Sequence, residues 1–156
     1  MIEIDIPGYK KLTLTHLVLD FNGTLACDGI MIPGVAERLN ALSEKLKIVV
    51  LTADTFGKAA AELASVNCKL TILPLADQDK GKLAVVQQLG SEQTACIGNG
   101  RNDNLMLRAA GLGIAVILEE GVAQVTLASA DVVCTGILSA LDLLSHPLRL
   151  VATLRS

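Results

Sequence analysis

The stretch that decides the fold is Leu17-Val18-Leu19-Asp20-Phe21-Asn22-Gly23-Thr24-Leu25, an apolar run that leads directly into an acidic residue and a glycine-containing loop. Aliphatic residues before Asp20 are typical of a strand in a parallel sheet covered on both faces. A carboxylate at the end of such a strand can attack phosphorus as a nucleophile. Gly23 allows a tight turn, in which neighbouring N–H groups can face an anion. Taken alone, the motif is equally compatible with a turn that Asp20 merely caps.

Two further apolar runs end in polar residues in the same way. They are Ile48-Val49-Val50-Leu51-Thr52-Ala53-Asp54 and Ala95-Cys96-Ile97-Gly98-Asn99-Gly100-Arg101-Asn102-Asp103. A hydroxyl such as that of Thr52, at a strand end before a helix, suits a phosphate oxygen, although Thr52 or Asp54 could simply cap the helix. Oxygen donors in the loop from Asn99 to Asp103 suit Mg²⁺, which needs only one or two carboxylates.

The rest of the chain alternates between strand and helix patterns, which predicts βαβ units and a mostly parallel sheet. We therefore predict a single domain over residues 1–156, a Rossmann-like three-layer α/β sandwich whose first two strands form an N-terminal hairpin through residues 7–11. Ligands of such folds bind at the carboxyl ends of the strands. The predicted strands cover residues 2–6, 12–21, 47–51, 69–73, 94–97, 113–117 and 131–134, and the predicted helices cover 34–46, 55–65, 77–89, 101–110, 122–129, 138–144 and 147–154.

Composition limits the classes of function. Apolar residues make up 51% of the chain and aromatic residues 2%, with a net charge of −3, so the core must be aliphatic and nucleic-acid binding is not expected. No apolar run is long enough to span a bilayer and the start lacks the pattern of a signal peptide, so we expect a cytoplasmic protein without membrane insertion. The four cysteines, Cys27, Cys68, Cys96 and Cys134, match no zinc pattern and are expected to be reduced and mostly buried.

Together, the three motifs resemble the haloacid dehalogenase (HAD) superfamily, and within it the phosphorylation domain of P-type ATPases and its soluble relatives. The resemblance extends from Leu12 to Leu144 and implies an aspartyl phosphate on Asp20. It also implies a lysine that neutralises the nucleophile and phosphate, for which Asp79-Lys80-Gly81-Lys82 offers two candidates, and we favour Lys80 over Lys82. The implied catalytic residues are Asp20, Asn22, Thr52 and Lys80, the phosphate-binding residues are Phe21, Gly23, Thr24, Thr52, Ala53, Lys80 and Asn102, and the Mg²⁺ ligands are Asp20, Asn22, Asn99 and Asp103.

Two positions depart from the pattern of the family's phosphatases. Asn22 stands where these enzymes carry the Asp that acts as general acid and base, and an amide cannot give or take that proton. Asn99 stands where the metal-binding motif usually has Asp. These changes predict slow turnover and weak Mg²⁺ binding.

The segments that follow the first two motifs are short, so no inserted cap domain is expected. An open, capless site suits a phosphorylated macromolecule, or a site completed by a second copy of the chain. The hairpin-like stretch Cys27-Asp28-Gly29-Ile30-Met31-Ile32 is a candidate for a flap contributed in this way.

Three functions are therefore open. The first is a Mg²⁺-dependent phosphohydrolase or phosphotransferase that works through phospho-Asp20. The second is a degenerate module that keeps the phosphate pocket and binds a phosphate or a partner with little catalysis. The third, carbon–halogen hydrolysis, also uses an Asp nucleophile, but its known examples have a cap domain.

Overall fold

The structure is a computed structural model that describes all 156 residues of the chain. Its strands form one sheet of six strands and two small sheets of two strands each. The strands are β1 (Ile2–Ile6), β2 (Lys10–Leu14), β3 (His16–Asp20), β4 (Ala26–Cys27), β5 (Ile30–Met31), β6 (Lys47–Thr52), β7 (Lys69–Ile72), β8 (Thr94–Gly98), β9 (Leu112–Val116) and β10 (Val132–Cys134).

Seven α-helices connect or cover the strands, and short 3₁₀ turns at Ser91–Gln93 and Arg101–Asp103 precede β8 and the fourth helix. The helices are α1 (Val35–Ser43), α2 (Ala59–Glu62), α3 (Gln78–Leu89), α4 (Asn104–Ala109), α5 (Gln124–Leu127), α6 (Ile137–Ser145) and α7 (Pro147–Leu154).

The central sheet has the strand order β10-β9-β8-β3-β6-β7, and every neighbouring pair is parallel. From β3 the chain continues outward on one side through β6 and β7, and it then returns to build β8, β9 and β10 on the other side. The strand order thus reverses beside β3, and open α/β sheets bind ligands at the carboxyl edge of such a point. The predicted α/β class with a mostly parallel sheet is confirmed.

Alternate residues of the strands face two different hydrophobic clusters. In β3, Leu17 and Leu19 belong to a cluster of 30 buried residues that includes α1, α6, α7 and the N-terminal hairpin, whereas Val18 belongs to a cluster of 9 that includes residues of α3 and α4. Side chains of a strand alternate between the two faces of its sheet, so a strand buried on both faces must be apolar throughout. This explains the unbroken aliphatic runs and gives the three layers that the sequence predicts.

The predicted strand over residues 12–21 is wrong in one respect, because it is two strands that belong to different sheets. β1 and β2 form a separate antiparallel hairpin in which Ile2 pairs with Leu14, whereas β3 belongs to the central sheet. Thr15 separates them: its N–H donates to the carbonyl of Gln93 and its carbonyl accepts from the N–H of Lys47, at 2.8 and 2.9 Å. The predicted N-terminal hairpin itself is confirmed.

The predicted helix over residues 55–65 shrinks to α2, which has only four residues. Gly57 has a φ of 65°, a left-handed value that an α-helix does not tolerate, so the chain turns there before the helix can begin. Asp54 still has the predicted capping role, because its Oδ1 accepts from the N–H groups of Lys58 and Ala59 at 3.0 Å each. The predicted helix over 101–110 also begins as a 3₁₀ turn, and the predicted helix over 122–129 is reduced to α5.

The stretch from Cys27 to Ile32 contains a small antiparallel hairpin, β4–β5, as its sequence suggests. Its two turn residues, Asp28 and Gly29, have φ values of 50° and 77°. Consecutive left-handed residues are the signature of the tight type I′ hairpin turn, for which Asp-Gly is a favoured pair. Ile30 is 52% exposed, while the N–H groups of Asp28 and Met31 donate to Glu120 and Glu62, so the hairpin is attached to the rest of the fold and presents one apolar side chain to solvent.

No single helix is both long and apolar enough to cross a membrane; α6 and α7 meet that test only as a pair, and they are bent by 101°. All four cysteines are free thiols. Only Cys96 is fully buried, whereas Cys27, Cys68 and Cys134 are half-buried, so the expected burial of the thiols holds for one of them alone.

Candidate active site

Three neighbouring strands bring their polar ends to one edge of the sheet. Asp20 is the last residue of β3, Thr52 is the last residue of β6, and Asn99 directly follows β8. β6 and β8 flank β3 in the sheet, so the three side chains lie side by side at the point where the strand order reverses. They open into one cleft of about 860 Å³. The convergence that the motifs predict is therefore present.

Asp20 is the centre of this arrangement and is only 7% exposed. Its Oδ1 accepts from the Nζ of Lys82 at 2.7 Å, and its Oδ2 accepts from the hydroxyl of Thr24 at 3.2 Å. Burial, followed by the negative charge of Asp103, raises the pKa of the Asp20 carboxyl to about 7, although the Lys82 ammonium acts in the opposite direction. Removal from water disfavours the charged carboxylate, so a cation in the cleft would favour it.

Lys82, rather than Lys80, is the lysine of the site. Its side chain is fully buried, and its Nζ also lies 2.6 Å from Oδ1 of Asp103. Burial alone would lower its pKa, but the carboxylates of Asp20 and Asp103 outweigh that effect and raise it. The ammonium is therefore charged and bridges two acids that are far apart in the sequence.

The prediction that Lys80, rather than Lys82, is the lysine beside Asp20 is therefore wrong. Lys80 lies on the outside of α3, with its side chain 73% exposed and its Nζ 3.2 Å from Asp77. Successive helical residues are separated by about 100°, so Lys80 and Lys82 point in opposite directions from the same helix. A usable signal was present in the sequence: Lys82 and Val86 are four residues apart and form the buried face of α3.

Asp103 is held more firmly than any other acid of the site. While Oδ1 contacts Lys82, Oδ2 accepts from the backbone N–H groups of Asn99 and Gly100 at 2.9 Å each. The carboxylate packs against the backbone of β8 at Gly98, where a Cβ atom would lie 2.5 Å from Asp103 Cγ. With both oxygens engaged in this way, Asp103 fixes the position of Lys82. Asp103 is fully buried and does not line the cleft, and its role as a Mg²⁺ ligand stays a prediction.

Thr24 connects the first motif to the third. Its hydroxyl lies 3.2 Å from Asp20 Oδ2 and 3.1 Å from Asn99 Oδ1, and the Asn99 Nδ2 donates to the carbonyl of Gly121 at 2.9 Å. Gly23 is left-handed, with a φ of 79°, and a Cβ there would lie 2.4 Å from Asn99 Nδ2. The tight turn that Gly23 permits therefore brings the first loop against Asn99.

Two N–H groups of the loop after β3 have partners within the turn itself. The N–H of Gly23 donates to Ala26 and that of Thr24 donates to Phe21, at 2.7 and 3.2 Å, so both are used within the turn. The side chain of Phe21 is fully buried in the larger hydrophobic cluster. The N–H groups of Gly23 and Thr24 are therefore already used in this turn, and the Thr24 hydroxyl positions Asp20 and Asn99. The assignment of Phe21 as a phosphate-binding residue stays a prediction.

Thr52 keeps its predicted place. Its side chain is 2% exposed, and its Oγ1 accepts from the N–H of Asp54 at 2.9 Å, which leaves the hydroxyl proton free to be donated into the cleft. Ala53 lines the cleft beside it. Asn102 also lines it and donates from Nδ2 to Gln78 Oε1 at 2.6 Å. These residues surround the exposed side of Asp20.

The oxygen donors fit a divalent cation. Asn22 Oδ1 is buried and is the one such side-chain atom without a hydrogen-bond partner, and Asn22 lines the same cleft as Asp20. A buried carbonyl oxygen without a partner is costly unless a ligand or water satisfies it. One carboxylate and one or two neutral oxygens are a sufficient protein contribution for an ion that keeps several waters. Asp20 and Asn22, with Asn99 beside them, supply that set.

Sequence reasoning did not find the outer wall of the cleft. Glu120, Asp77 and Asp79 contribute acids there, Arg101 contributes a base, and Leu75 is 79% exposed at the rim. These residues come from loops and helix ends that carry no strand-end motif. Their only shared sequence signal is that they follow β7, β8 and β9, so they too lie at the carboxyl edge of the sheet.

Comparison with known proteins supports the fold and finds two curated relatives by sequence. No protein-family model matches the chain. The uncharacterized protein MJ0073 of Methanocaldococcus jannaschii is 45% identical over 78 residues, which are 47% of this chain and 84% of that protein.

Among solved structures, the 3-deoxy-D-manno-octulosonate 8-phosphate phosphatase of Moraxella catarrhalis, in complex with magnesium, phosphate and KDO, superposes with a TM-score of 0.70. It is 19% identical, and the match covers 90% of this chain and 92% of that one. A zinc-transporting PIB-type ATPase matches with a TM-score of 0.63 and 25% identity, over 78% of this chain and 20% of the ATPase.

These likenesses agree with the α/β fold of the chain. The first solved structure has nearly the length of this chain, whereas only a fifth of the ATPase corresponds to it. The chain therefore belongs to the same family as MJ0073, and its fold is that of the haloacid dehalogenase-like hydrolases.

Proposed function

We propose that this protein is a Mg²⁺-dependent phosphohydrolase or phosphotransferase that acts through an aspartyl phosphate on Asp20. The observation that carries the proposal is the contact of Asp20 with Lys82 at the base of a polar cleft, with Thr52 at the end of the next strand. A carboxylate nucleophile, a fixed ammonium and a free hydroxyl are the groups that a phosphoryl transfer needs for attack and for charge stabilisation.

In the first step, a carboxylate oxygen of Asp20 forms a bond to phosphorus while the bond from phosphorus to the leaving oxygen breaks. Thr52 donates its hydroxyl proton in a hydrogen bond to a phosphoryl oxygen, and Lys82 offsets the negative charge that gathers beside Asp20. Mg²⁺, when held by Asp20, Asn22 and Asn99, would neutralise further charge on the phosphoryl oxygens. The leaving oxygen takes its proton from water.

In the second step, a water oxygen attacks the phosphorus, the bond to Asp20 breaks, and the free carboxylate is restored with release of inorganic phosphate. An acceptor alcohol in place of water would give phosphotransfer. Asn22 can orient either oxygen through a hydrogen bond but cannot exchange a proton with it. Positioned proton transfer contributes about 10²–10⁴-fold to a rate, so both steps are slow in this chain.

The form of the cleft supports a large or extended phosphomonoester. No inserted domain covers the cleft, and Leu75 at its rim is exposed over 79% of its surface. Three acids, Asp77, Asp79 and Glu120, stand in the outer wall against the single base Arg101. A leaving group with further negative charge would be repelled there. A phosphorylated macromolecule, or a site closed by a second copy of the chain through the β4–β5 hairpin, is consistent with this opening.

A second function is favoured by one specific observation, namely that amides occupy both positions 22 and 99. Such a chain could keep its phosphate pocket and serve as a binding module with little turnover. The two functions differ in whether Asp20 is ever phosphorylated.

The experiment measures hydrolysis of p-nitrophenyl phosphate with Mg²⁺ by the wild-type protein, Asp20→Asn and Asn22→Asp. We expect slow wild-type turnover, none with Asp20→Asn, and a rise of about 10²–10⁴-fold with Asn22→Asp. Mass spectrometry of acid-quenched wild-type protein should find phosphate on Asp20. Absence of turnover and of phosphorylation in all three forms, with beryllium fluoride still bound, would replace the enzyme by the binding module.

A further inference from the structure

A second pocket lies at the opposite edge of the central sheet from Asp20. It has a volume of about 400 Å³ and opens at the amino-terminal ends of β3, β6 and β7. We call it the basal pocket; its lining includes three basic residues and three large aliphatic ones, namely His16, Lys47, Lys69, Leu46, Ile48 and Leu89.

The basal pocket is lined by basic side chains, and no acidic side chain balances them. Lys47, Lys69 and His16 line it, and no carboxylate does. His16 and Lys47 are register partners in adjacent parallel strands, and Lys69 begins the next strand along. Neither lysine has a carboxylate within ion-pair distance, in contrast with Lys10 and Lys82. A cluster of unpaired cations attracts an anion, even in a protein whose net charge is −3.

One ring nitrogen of His16 has a hydrogen-bond partner, and the other has none. Its Nδ1 lies 2.8 Å from Thr15 Oγ1, and that hydroxyl lies 3.4 Å from the carbonyl of Gln93. Burial, and then the charge of Lys47, lowers the pKa of His16. An anion beside Lys47 would offset that repulsion and could accept a hydrogen bond from Nε2, while Nδ1 keeps its partner at Thr15.

The remaining lining is mostly apolar, and its side-chain hydrogen-bond donors on Ser43 and Asn67 have partners within the protein. Leu46, Ile48 and Leu89 form an apolar wall. Ser43 donates to a backbone carbonyl of α1 at 2.7 Å and accepts from the Asn67 side chain at 3.2 Å, so these polar groups have partners within the protein. Polar recognition in the pocket therefore rests on the three basic side chains, and the wall suits an apolar body.

We propose that the basal pocket binds a small organic dianion, in which a doubly charged phosphate, phosphonate or dicarboxylate group meets Lys47, Lys69 and His16 and an apolar body packs on Leu46 and Leu89. The apolar body distinguishes such a ligand from inorganic phosphate. This site is independent of any chemistry at Asp20, because it lies at the other end of β3.

The test titrates phenylphosphonate into the wild-type protein without divalent cations, so that the net negative charge of Asp20, Asp103 and Lys82 disfavours binding in the main cleft. Calorimetry gives the affinity, and the ring resonances of His16 report the location. We expect saturable binding that shifts the His16 resonances, together with at least about tenfold weaker affinity in Lys47→Met/Lys69→Met.

Lys11→Met, a change on the exposed edge of the N-terminal hairpin, is the matched control and should keep wild-type affinity within about twofold. Both lysines are exposed at the mouth of the pocket, so the double variant is expected to fold, and its amide spectrum verifies this. Undiminished binding by the folded double variant, saturation without any change at His16, or the same affinity for inorganic phosphate as for phenylphosphonate would each overturn the proposal.

Discussion

Lys82 Nζ lies 2.7 Å from Asp20 Oδ1 and 2.6 Å from Asp103 Oδ1, so one buried ammonium holds together two acids from separate motifs. Helix α3 supplies the lysine, Asp20 ends β3, and Asp103 ends the short 3₁₀ turn that follows β8. The three groups form a structural unit before any substrate arrives. Electrostatic stabilisation of a transition state depends on such preorganised charges.

The first prediction separates the two lysines of α3. Lys82→Met removes the charge and leaves the acids of Asp20 and Asp103 buried without their cation, which should cost about 3–5 kcal/mol of unfolding free energy and abolish turnover. Lys80→Met removes an exposed partner of Asp77 and should change stability by less than about 0.5 kcal/mol. Urea unfolding and hydrolysis of an aryl phosphate are the measurements. A folded, active Lys82→Met protein would contradict the assignment.

Much of the fold could be predicted because the local signals were strong. The aliphatic runs that end in Asp20, Thr52 and Gly98 are strands, and their alternation with helices leads directly to a parallel sheet. The break at Thr15 could not be predicted in the same way. It is made by hydrogen bonds to Gln93 and Lys47, which are distant in sequence, while the residues on both sides remain good strand formers.

The sequence predicted which motifs contribute to the site, but it led to the wrong lysine of α3. The direction in which a helical side chain points depends on its angle around the helix axis, which the motif alone does not give. The motif Asp79-Lys80-Gly81-Lys82 does not by itself show which lysine points inward. The buried pair Lys82 and Val86 resolves it, because residues four apart share one helix face. The orphaned oxygen of Asn22 and the engaged N–H groups of Gly23 and Thr24 depend on the three-dimensional turn and have no sequence signal.

The second prediction concerns the close contact of Gly98 with Asp103. A Cβ at residue 98 would lie 2.5 Å from Asp103 Cγ, so Gly98→Ala forces the carboxylate away from Lys82. Overpacking of this kind costs typically about 1–3 kcal/mol, and we expect a loss of that order together with a fall in turnover. Differential scanning calorimetry and the aryl phosphate assay measure the two effects.

Gly81→Ala is the matched control for that change. Gly81 lies inside α3, and a Cβ there would have Leu73 at 3.7 Å, an ordinary contact. Alanine is favoured over glycine in a helix interior by up to about 1 kcal/mol, so this variant should be more stable than the wild type. Equal effects of the two substitutions would show that the contact at Gly98 is unimportant.

The third prediction is a pH dependence that arises from the pair of Arg38 and Asp142, which joins α1 to α6 at 2.8 Å. The hydrogen bond from Arg38 lowers the pKa of Asp142. The unfolded chain then takes up this proton before the folded one does as the pH falls. The pair therefore stabilises the protein above the ordinary aspartate pKa of about 3.9, and that contribution is lost as the pH falls through the lowered value.

Asp142→Asn should lower the free energy of unfolding near neutral pH by less than about 1 kcal/mol, since both side chains are partly exposed to solvent. The difference from the wild type should shrink as the solution is acidified. Urea titrations at a series of pH values measure it, with Glu44→Gln, an exposed change near the end of α1, as the control. A difference that grows on acidification would contradict the sign.

The last prediction concerns Asn99 and sets two effects against each other. In the absence of metal, Asn99→Asp should destabilise the protein, because the side-chain nitrogen that donates to the Gly121 carbonyl at 2.9 Å becomes an oxygen and a further negative charge is placed beside Asp20. With Mg²⁺ the added carboxylate should strengthen ion binding, since hard oxygen anions are preferred ligands.

Thermal unfolding with and without Mg²⁺ separates these two effects of Asn99→Asp. A ligand that binds only the folded state stabilises it by about 2.7 kcal/mol at a concentration of 100 times its Kd. The variant should therefore unfold at a lower temperature than the wild type without Mg²⁺ and show the larger rise in Tm as Mg²⁺ is added, with Asn104→Asp, a change at the cleft rim, as the control. A rise in Tm no larger than that of the wild type would mean that residue 99 does not contact the ion and that Asp20 and Asn22 hold it without Asn99.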